Sequence, residues 1–420
     1  MPEVTQKLNT RLMPFLVGGL ILIQLLEPFR GWQILLVGLG GAWLLGYLWA
    51  RSLARNLWLM REIRFGWAQV GDRLTERFTL ENRGRIRALW VEIVDHSTLP
   101  GYQPSRVVSI VGNRSIRWFR EAVCTHRGLF RLGPIRMRTG DPFGLYTVDL
   151  EYPLSIPLLV MPPILPLPTI EVAAGGRPGE GRVKTDALER TVSVSHVREY
   201  QSDDQWRWIH WPTSARHQSL YVRTFDGAPA GDWWVVLDMH REAHVGIGQN
   251  STEEHEVILA ASLADRGIRS GRAVGLVAAN EDLIWLPPQG GEGQRWQILY
   301  SLAQVDLGDR PLGDLLTRMG SSLGRNTSLV IITPSVDRGW IQALVPLIDR
   351  GVIPTVLLLN PQSFGGSSEP IEVQSSLINL GVTYYLVSRD LLEDATARFD
   401  QMGKMSGIHE PSREPWEVVL

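Results

Sequence analysis

Two long stretches near the start of the chain carry no charged side chain. The first lies between Arg11 and Glu27, and the second is the 19-residue run Trp32–Ala50. A helix that crosses the hydrocarbon core of a bilayer needs about 20 mostly apolar residues, so the second stretch is long enough and the first is slightly short. Because only a tiny turn separates them, we predict two transmembrane helices joined as a hairpin within residues 1–56.

Basic residues flank the predicted hairpin on both outer sides. Lys7 and Arg11 precede it and four arginines follow within residues 51–64, whereas the turn carries only Arg30. Since Lys and Arg beside a span favour the cytoplasmic side, we expect a protein of the plasma (inner) membrane with two spans and with both termini and the soluble domains in the cytoplasm. A cleaved signal peptide would need a small-residue cleavage site after the first stretch. A hairpin buried in a soluble domain would show a polar stripe, which both stretches lack.

Composition restricts the classes of function that remain. The 420 residues include 42 Lys and Arg against 44 Asp and Glu, a net charge of −2, which argues against nucleic acid binding through a basic surface. The single cysteine, Cys124, excludes disulfides within the chain and any thiolate metal cluster. The sequence has no Walker motif for nucleotide binding, and we expect no small-molecule substrate.

The residues after the hairpin change from a strand-like to a mixed pattern. Within residues 57–165, short segments such as Arg73–Asn82 and Ala88–Val94 alternate apolar and polar side chains and end in turn sequences, which is typical of a β-sandwich domain. Pro-rich and Gly-rich sequence then begins a linker, which together with a segment rich in Arg, acid and Trp occupies residues 166–230.

Residues 231–420 alternate apolar strands with helical patterns. Trp233–Asp238 is an apolar strand that ends in an acid, and Ser251 with Glu254 predicts the capped start of a helix. Apolar strands between helices indicate a mostly parallel sheet covered on both faces, a doubly wound α/β domain. Ligands of such sheets bind beyond the carboxyl ends of the strands, where Asp238 lies.

Three motifs together resemble one bacterial family. They are Arg127–Pro134 with Asp141–Leu145, the signature segment Val197–Arg223 that begins Val-Arg-Glu-Tyr-Gln-Ser-Asp-Asp, and the strand Val235–Asp238. Their order and spacing resemble domain-of-unknown-function family number 58, whose C-terminal part is von Willebrand factor A-like. The resemblance covers nearly the whole chain. It implies a membrane-anchored partner of a MoxR-type AAA+ ATPase, a separate chain, in the assembly or maturation of other complexes. We therefore expect a non-enzymatic adaptor.

The strand end at Asp238 departs from the metal site of that family. A von Willebrand A site needs Asp-x-Ser-x-Ser, because Mg²⁺ prefers hard oxygen ligands, and here His240 and Glu242 replace both serines. Pro334 stands after a later strand where a further Asp is usual. We predict a degenerate site around Asp238, His240 and Glu242 that holds no metal, and no cofactor elsewhere. The alternative is a metal-dependent protein-binding module, with Mg²⁺ at Asp238.

The signature segment supplies the candidate partner-binding residues. They are Arg198, Glu199, Tyr200, Asp203, Asp204, Arg207, Trp211, Ser214 and Arg216. In one interpretation they form a docking surface, with the arginines paired to acidic groups of a partner and tryptophans as anchors. In the other, the arginines pair with acids of the same segment and hold it against the sheet.

Two further constellations point to chemistry only weakly. His240, His244 and His255 could share a zinc ion, but they follow a strand and form no His-Glu-x-x-His run. His210 and Ser214 could form a nucleophile pair of a hydrolase, yet Gly-x-Ser-x-Gly is absent. We therefore predict no catalytic residue.

Overall fold

The computed structural model describes residues 2–167, 170–173, 194–199, 211–217, 219–225, 232–280, 282–324, 327–390 and 417–419. The chain divides into two compact units. The first comprises residues 1–163 and 402–420, and the second comprises residues 164–401. The hairpin and the strands that follow it therefore belong to one unit, whereas the sequence analysis separated them after residue 56.

The first unit combines a helical hairpin with three β-sheets. Its helices are α1 (Met13–Leu26) and α2 (Arg30–Asn56). Its strands are β1 (Glu3–Leu8), β2 (Leu57–Ile63), β3 (Trp67–Gln69), β4 (Arg73–Asn82), β5 (Ala88–Asp95), β6 (Arg106–Ile110), β7 (Arg114–Val123), β8 (Gly128–Leu132), β9 (Ile135–Gly140), β10 (Tyr146–Tyr152), β11 (Ile156–Met161) and β20 (Glu417–Val419). The sheet orders are β1-β10-β9-β5-β6, β20-β2-β4-β7 and β3-β11-β8.

The five-stranded and four-stranded sheets share one hydrophobic core. Phe78 and Leu80 of β4 enter it from the four-stranded sheet, and Met137 of β9 and Val148 of β10 enter it from the five-stranded sheet. Their alternation along each strand explains why one face of each sheet is buried. The C-terminal turns of α2 complete this core, with Leu53 fully buried. The end of the predicted second span is therefore a packing element of the β-sheet unit.

The rest of the hairpin exposes its apolar side chains. Among its exposed large hydrophobics are Leu12, Phe15, Leu16, Ile21, Leu22, Ile23, Leu25, Leu26, Phe29, Ile34, Leu35 and Val37. Among the described helices, only α2 is both long enough, with 27 residues, and apolar enough to cross a membrane. Helix α1 is apolar but has only 14 residues.

The chain before the hairpin and the chain after it meet in one sheet. Strand β1 pairs antiparallel with β10, from Glu3 opposite Glu151 to Leu8 opposite Tyr146. Helix α2 in turn contacts β1, β9 and β10. Both ends of the hairpin are thus attached to the same body of β-structure, an arrangement that the sequence analysis did not predict because it assigned no strand before α1.

A buried ionic cluster lies in the first unit. The Arg61 guanidinium donates to Glu76 through Nε (3.2 Å to Oε1) and Nη2 (2.8 Å to Oε2), and its Nη1 lies 3.1 Å from Asp95 Oδ2. The Tyr102 hydroxyl also donates to Glu76. Arg61 is 5% exposed and Glu76 is not exposed at all, so each charge depends on the others for compensation.

Replacing Arg61 by methionine should destabilise the first unit strongly. Removing one partner of a buried ion pair leaves an uncompensated charge and costs about 3–5 kcal/mol of unfolding free energy. The matched control is Arg83→Met, because Arg83 pairs with Glu81 with its side chain 57% exposed and such pairs contribute at most about 1 kcal/mol. Denaturant unfolding followed by tryptophan fluorescence measures both, and equal losses would contradict the assigned role of the cluster.

The second unit contains a two-stranded ribbon and a six-stranded sheet. The ribbon pairs β12 (Val194–Glu199) with β13 (Tyr221–Phe225), and α3 (Trp211–His217) lies between them in sequence. The sheet and its helices are β14 (Trp233–Leu237), α4 (Thr252–Arg269), β15 (Val274–Ala279), β16 (Leu283–Gln289), α5 (Glu292–Gln304), α6 (Leu312–Met319), β17 (Ser328–Thr333), α7 (Gly339–Asp349), β18 (Ile353–Leu359), α8 (Ile371–Asn379) and β19 (Thr383–Val387).

The six-stranded sheet has the order β16-β15-β14-β17-β18-β19 and is parallel except for β16. The connection from β15 to β16 is too short for a parallel crossover, so this pair forms an antiparallel hairpin at the sheet edge. Helices α6, α7 and α8 pack on one face through Leu316, Leu344 and Leu377. Helix α4 contacts β14, β15 and β17 and packs on the other face, since its residues lie outside that cluster. The mixed α/β architecture expected from the alternating pattern is thus present.

The alternating pattern also predicts helices over Leu312–Leu323 and Asp390–Gln401. The first of these is shorter in the structure and ends at Met319. The second lies almost entirely outside the described residues.

Candidate functional site

An open groove of about 790 Å³ lies in the second unit where the parallel strands end. The segments after β14 and β17 and the first turns of α6 and α7 form its walls. The groove is defined by Asp238, His240, Glu242, Ala243, Val245, Pro311, Leu312, Gly313, Asp314, Thr317, Pro334, Ser335, Val336, Asp337, Gly339, Trp340, Gln342, Ala343, Pro346, Pro361 and Ser368. It therefore occupies the carboxyl edge, where ligands of open α/β sheets bind.

Asp238 lies in the groove wall with its carboxylate held by the protein. The side chain is 2% exposed, and its Oδ2 accepts a hydrogen bond from Thr333 Oγ1 at 2.6 Å. Its Oδ1 accepts from the backbone N–H of His240 at 3.2 Å. Both carboxylate oxygens are therefore engaged within the second unit.

His244 lies behind Asp238, and its contacts indicate its tautomer. Its Nε2 is 2.6 Å from the backbone carbonyl oxygen of Asp238, which can only accept, so Nε2 carries the proton. Its Nδ1 is 3.0 Å from Thr252 Oγ1. Burial lowers the pKa of His244, which favours the neutral ring.

Glu256 of α4 is the most deeply buried acid of this region. Its Oε1 accepts the backbone N–H of Asp238 at 2.5 Å, whereas its Oε2 has no hydrogen-bond partner and lies 3.7 Å from His244 Nε2. Burial first, and then the neighbouring Asp238 carboxylate, raise the pKa of Glu256 well above its ordinary value. Burial also raises the pKa of Asp238, although the Thr333 hydrogen bond opposes this. Burial therefore raises the pKa of both acids and lowers the pKa of the histidine beside them.

The residues at this strand end do not fit a magnesium site. Octahedral Mg²⁺ needs several oxygen ligands that can reach it, and the Asp238 side chain is only 2% exposed. Across the described part of the chain, no group of three or more His, Cys, Asp or Glu residues could hold a metal ion. His244 and His255 have separate surroundings: His255 packs edge-on against Phe364. The expected absence of metal stays a prediction, supported by this geometry.

The structure places only part of the signature segment. Arg198 and Glu199 belong to β12, and Trp211, Ser214 and Arg216 belong to α3. Tyr200, Asp203, Asp204 and Arg207, together with His210, lie outside the described residues.

Ser214 has a structural contact. Its buried Oγ accepts the backbone N–H of Tyr221 at 2.8 Å, which joins α3 to β13. Arg216 is exposed.

Comparison with known proteins supports the resemblance over part of the chain. Residues 196–363 match the family described as "Protein of unknown function DUF58". The chain is 23% identical over 278 residues to the "Uncharacterized protein YeaD" of Bacillus subtilis (strain 168). The aligned segment covers 63% of this chain and 67% of that protein. The family resemblance predicted from the motifs is confirmed for this segment.

Two solved structures are similar to parts of the chain. An aerotolerance-related membrane protein from Bacteroides fragilis NCTC 9343, with multiple mutations to serines, is 18% identical with a TM-score of 0.30, covering 42% of this chain and 100% of that one. The CARDB domain of the PF1109 protein from Pyrococcus furiosus, in complex with di-metal ions, is 12% identical with a TM-score of 0.18, covering 25% of this chain and 94% of that one.

Sequence reasoning found Asp238 but missed the groups that hold it. Thr333 ends a buried strand, and Glu256 lies on the buried side of α4 among apolar residues. An acid inside an apolar helical face was the available signal for Glu256. Thr333 gave no signal, because strand ends carry threonine for many reasons.

Replacing Glu256 by glutamine should change how stability depends on pH. The pKa of Glu256 is raised in the folded state. The Glu256 carboxyl therefore contributes fully to the free energy of unfolding below the ordinary Glu pKa of 4.5, and this contribution is lost as the pH rises through the folded-state pKa. Glutamine keeps the acceptor for Asp238 N–H and removes the titration. The unfolding free energy of Glu256→Gln relative to wild type should therefore increase as the pH rises above the ordinary Glu value.

Chemical unfolding at several pH values measures this difference. The matched control is Glu372→Gln, whose side chain is 71% exposed in the same unit. A Glu256→Gln difference that stays constant or decreases with pH would contradict the assignment of a neutral buried carboxyl.

Proposed function

We propose that this chain is a membrane-anchored, non-enzymatic adaptor that binds a partner protein in the groove. The observation that carries the proposal is the open groove of about 790 Å³ whose buried carboxylate, Asp238, is held by Thr333 and the backbone of His240. That carboxylate is 2% exposed, so a ligand in the groove can reach little of it. Apolar walls and exposed polar side chains around such a groove suit a protein segment.

The proposed partner is a MoxR-type AAA+ ATPase, acting in the assembly or maturation of other complexes. Two observations support this choice. Residues 196–363 match the DUF58 family, and the resemblance of the motifs to that family implies such a partner. The sequence has no Walker motif, so any ATP hydrolysis in this function would come from a separate chain. We further propose that the second unit is von Willebrand factor A-like, which its mostly parallel sheet with helices on both faces supports.

The proposed anchor is the hairpin of α1 and α2, inserted from the cytoplasmic side. The pairing of β1 with β10 supports an even number of crossings, because it attaches both hairpin ends to the same unit. Trp43 of α2 packs against the core of the first unit. The part of α2 that precedes Trp43 is about as long as α1, and each is roughly 20 Å long at 1.5 Å per residue. Since the hydrocarbon core is about 30 Å thick, two crossings require local thinning of the bilayer.

Capture of the ATPase tests the adaptor function. The full chain in lipid nanodiscs should bind a purified MoxR-type ATPase encoded in the same genome, and Gln342→Trp should weaken binding at least about tenfold because it places an indole in the groove. The matched control is Val345→Trp on the same helix, an exposed position that does not line the groove. Failure to capture the ATPase, or equal binding by both variants, would contradict the proposal.

Cysteine labelling tests the anchor. In a Cys124→Ala background, Phe29→Cys places a thiol at the exposed hairpin tip and Glu151→Cys places one on the β-sheet unit. A membrane-impermeant maleimide should label the tip in intact cells and should label Glu151→Cys only after lysis. Labelling of Glu151→Cys in intact cells would overturn the cytoplasmic orientation. A tip thiol that is not labelled in intact cells would overturn the two crossings.

A further inference from the structure

We propose that the end of the five-stranded sheet beside the hairpin enters the lipid bilayer, with Phe143 at the boundary between headgroups and hydrocarbon. The partner of this surface is the lipid itself. The inference rests on the proposed anchor, because it adds a second membrane contact beside the hairpin. Three observations lead to it: where the loop that carries Phe143 is held, which side chains are exposed around it, and how far the apolar surface of α2 extends.

The loop of residues 141–145, between β9 and β10, is held between the two ends of the hairpin. On one side the Asn9 side chain, shortly before α1, donates to Gly144 O at 3.1 Å. On the other side Asp141 Oδ2 lies 3.2 Å from the position that a Cβ on Gly46 of α2 would occupy. The same oxygen accepts the Phe143 N–H at 2.8 Å. The backbone of Phe143 is therefore fixed beside α2 at the level of Gly46.

Strand β10 leads from this loop away from the hairpin tip. At its start, the ring of Tyr146 lies 5.8 Å from that of Tyr47 in α2. At its end, the Tyr152 hydroxyl accepts the N–H of Leu59 at 2.9 Å. Leu59 belongs to β2 and follows the end of α2, so β10 and α2 run in the same direction. The loop thus lies at the membrane side of the sheet, and the far end of β10 lies on the opposite side.

Large apolar side chains are exposed around the loop. They are Leu12, Leu89, Trp90 and Phe143. Trp90 is a neighbour of the loop, since its Cζ2 lies 3.2 Å from the position that a Cβ on Gly140 would occupy. Single exposed apolar residues are ordinary, whereas a group of them marks a contact surface. This group continues the exposed apolar surface of the hairpin and therefore suits the same apolar surroundings.

The charges beside this group are compatible with insertion. The charged residues within two positions of its members are Arg11, Arg87, Glu92 and Asp141. The Asp141 carboxylate is buried and accepts two backbone N–H groups, and Glu92 lies opposite Arg138 where β5 pairs with β9. Arg11 and Arg87 are exposed, and long basic side chains can reach headgroups while their stems remain in apolar surroundings.

The apolar surface of α2 extends past the level of the loop. Exposed leucines continue to Leu48, and the next charged residue of α2 is Arg51. The charge-free run Trp32–Ala50 is about 28 Å long at 1.5 Å per residue, close to the thickness of about 30 Å of the hydrocarbon core. With this run in the bilayer, Gly46 and Phe143 lie just inside the boundary. Insertion of the sheet end thus supplies apolar length that the free helices lack and leaves less thinning to the bilayer.

Fluorescence quenching by lipids tests the proposal in the full chain. In a Cys124→Ala background, Phe143→Cys is labelled with an NBD fluorophore and placed in phosphatidylcholine nanodiscs with and without doxyl-labelled phosphatidylcholine. We expect the doxyl lipid to remove most of the emission. The matched control is Leu154→Cys in the loop after β10, which is 65% exposed against 54% for Phe143 and should keep its emission. Equal losses at both positions, or no loss at Phe143→Cys, would overturn the proposal.

A label within the span separates this proposal from the anchor. Val37→Cys lies at an exposed position of α2 and should lose its emission wherever that helix crosses the bilayer. Quenching at Val37→Cys without quenching at Phe143→Cys would retain the hairpin anchor and reject the inserted sheet end. No quenching at either position would reject the anchor together with the inserted sheet end.

A charge substitution tests whether Phe143 holds the sheet end in the lipid. The reporter is NBD on Leu89→Cys, at an exposed position of the same sheet end. Phe143→Asp should remove most of the quenching of this reporter, because a carboxylate is unfavourable in hydrocarbon. Leu154→Asp should leave the quenching unchanged. Equal quenching of the reporter in both variants would contradict the role of Phe143.

Discussion

The hydrogen bond between Asp238 and Thr333 determines what the candidate site can do. It joins the ends of β14 and β17, the two central neighbours of the six-stranded sheet, at 2.6 Å. The Asp238 backbone N–H also reaches Ile332 O and Glu256 Oε1, so main chain and side chain are held together. A carboxylate held in this way is a fixed and buried part of the groove wall, with 2% of the side chain exposed.

Local patterns made the parts of this arrangement predictable. The apolar run before Asp238 indicated a buried strand with an acid at its end, and Ser251 marked the start of α4, where its Oγ accepts the Glu254 N–H at 3.2 Å. The convergence of Asp238, Glu256 and Thr333 was not predictable, because Thr333 is 95 residues away along the chain. Which strand lies beside β14 is a property of the whole sheet, and no local spacing encodes it.

The hairpin shows a second limit of sequence reasoning. Absence of charge indicated two helices correctly, yet Leu53 at the end of α2 is buried in the β-sheet unit. Lipid and protein core both accept apolar side chains, so hydropathy alone cannot divide one long helix between them. Strand β1 was equally hidden. Only Gln6 and Leu8 of its six residues are half-buried, and the strand forms by pairing with β10, far along the chain.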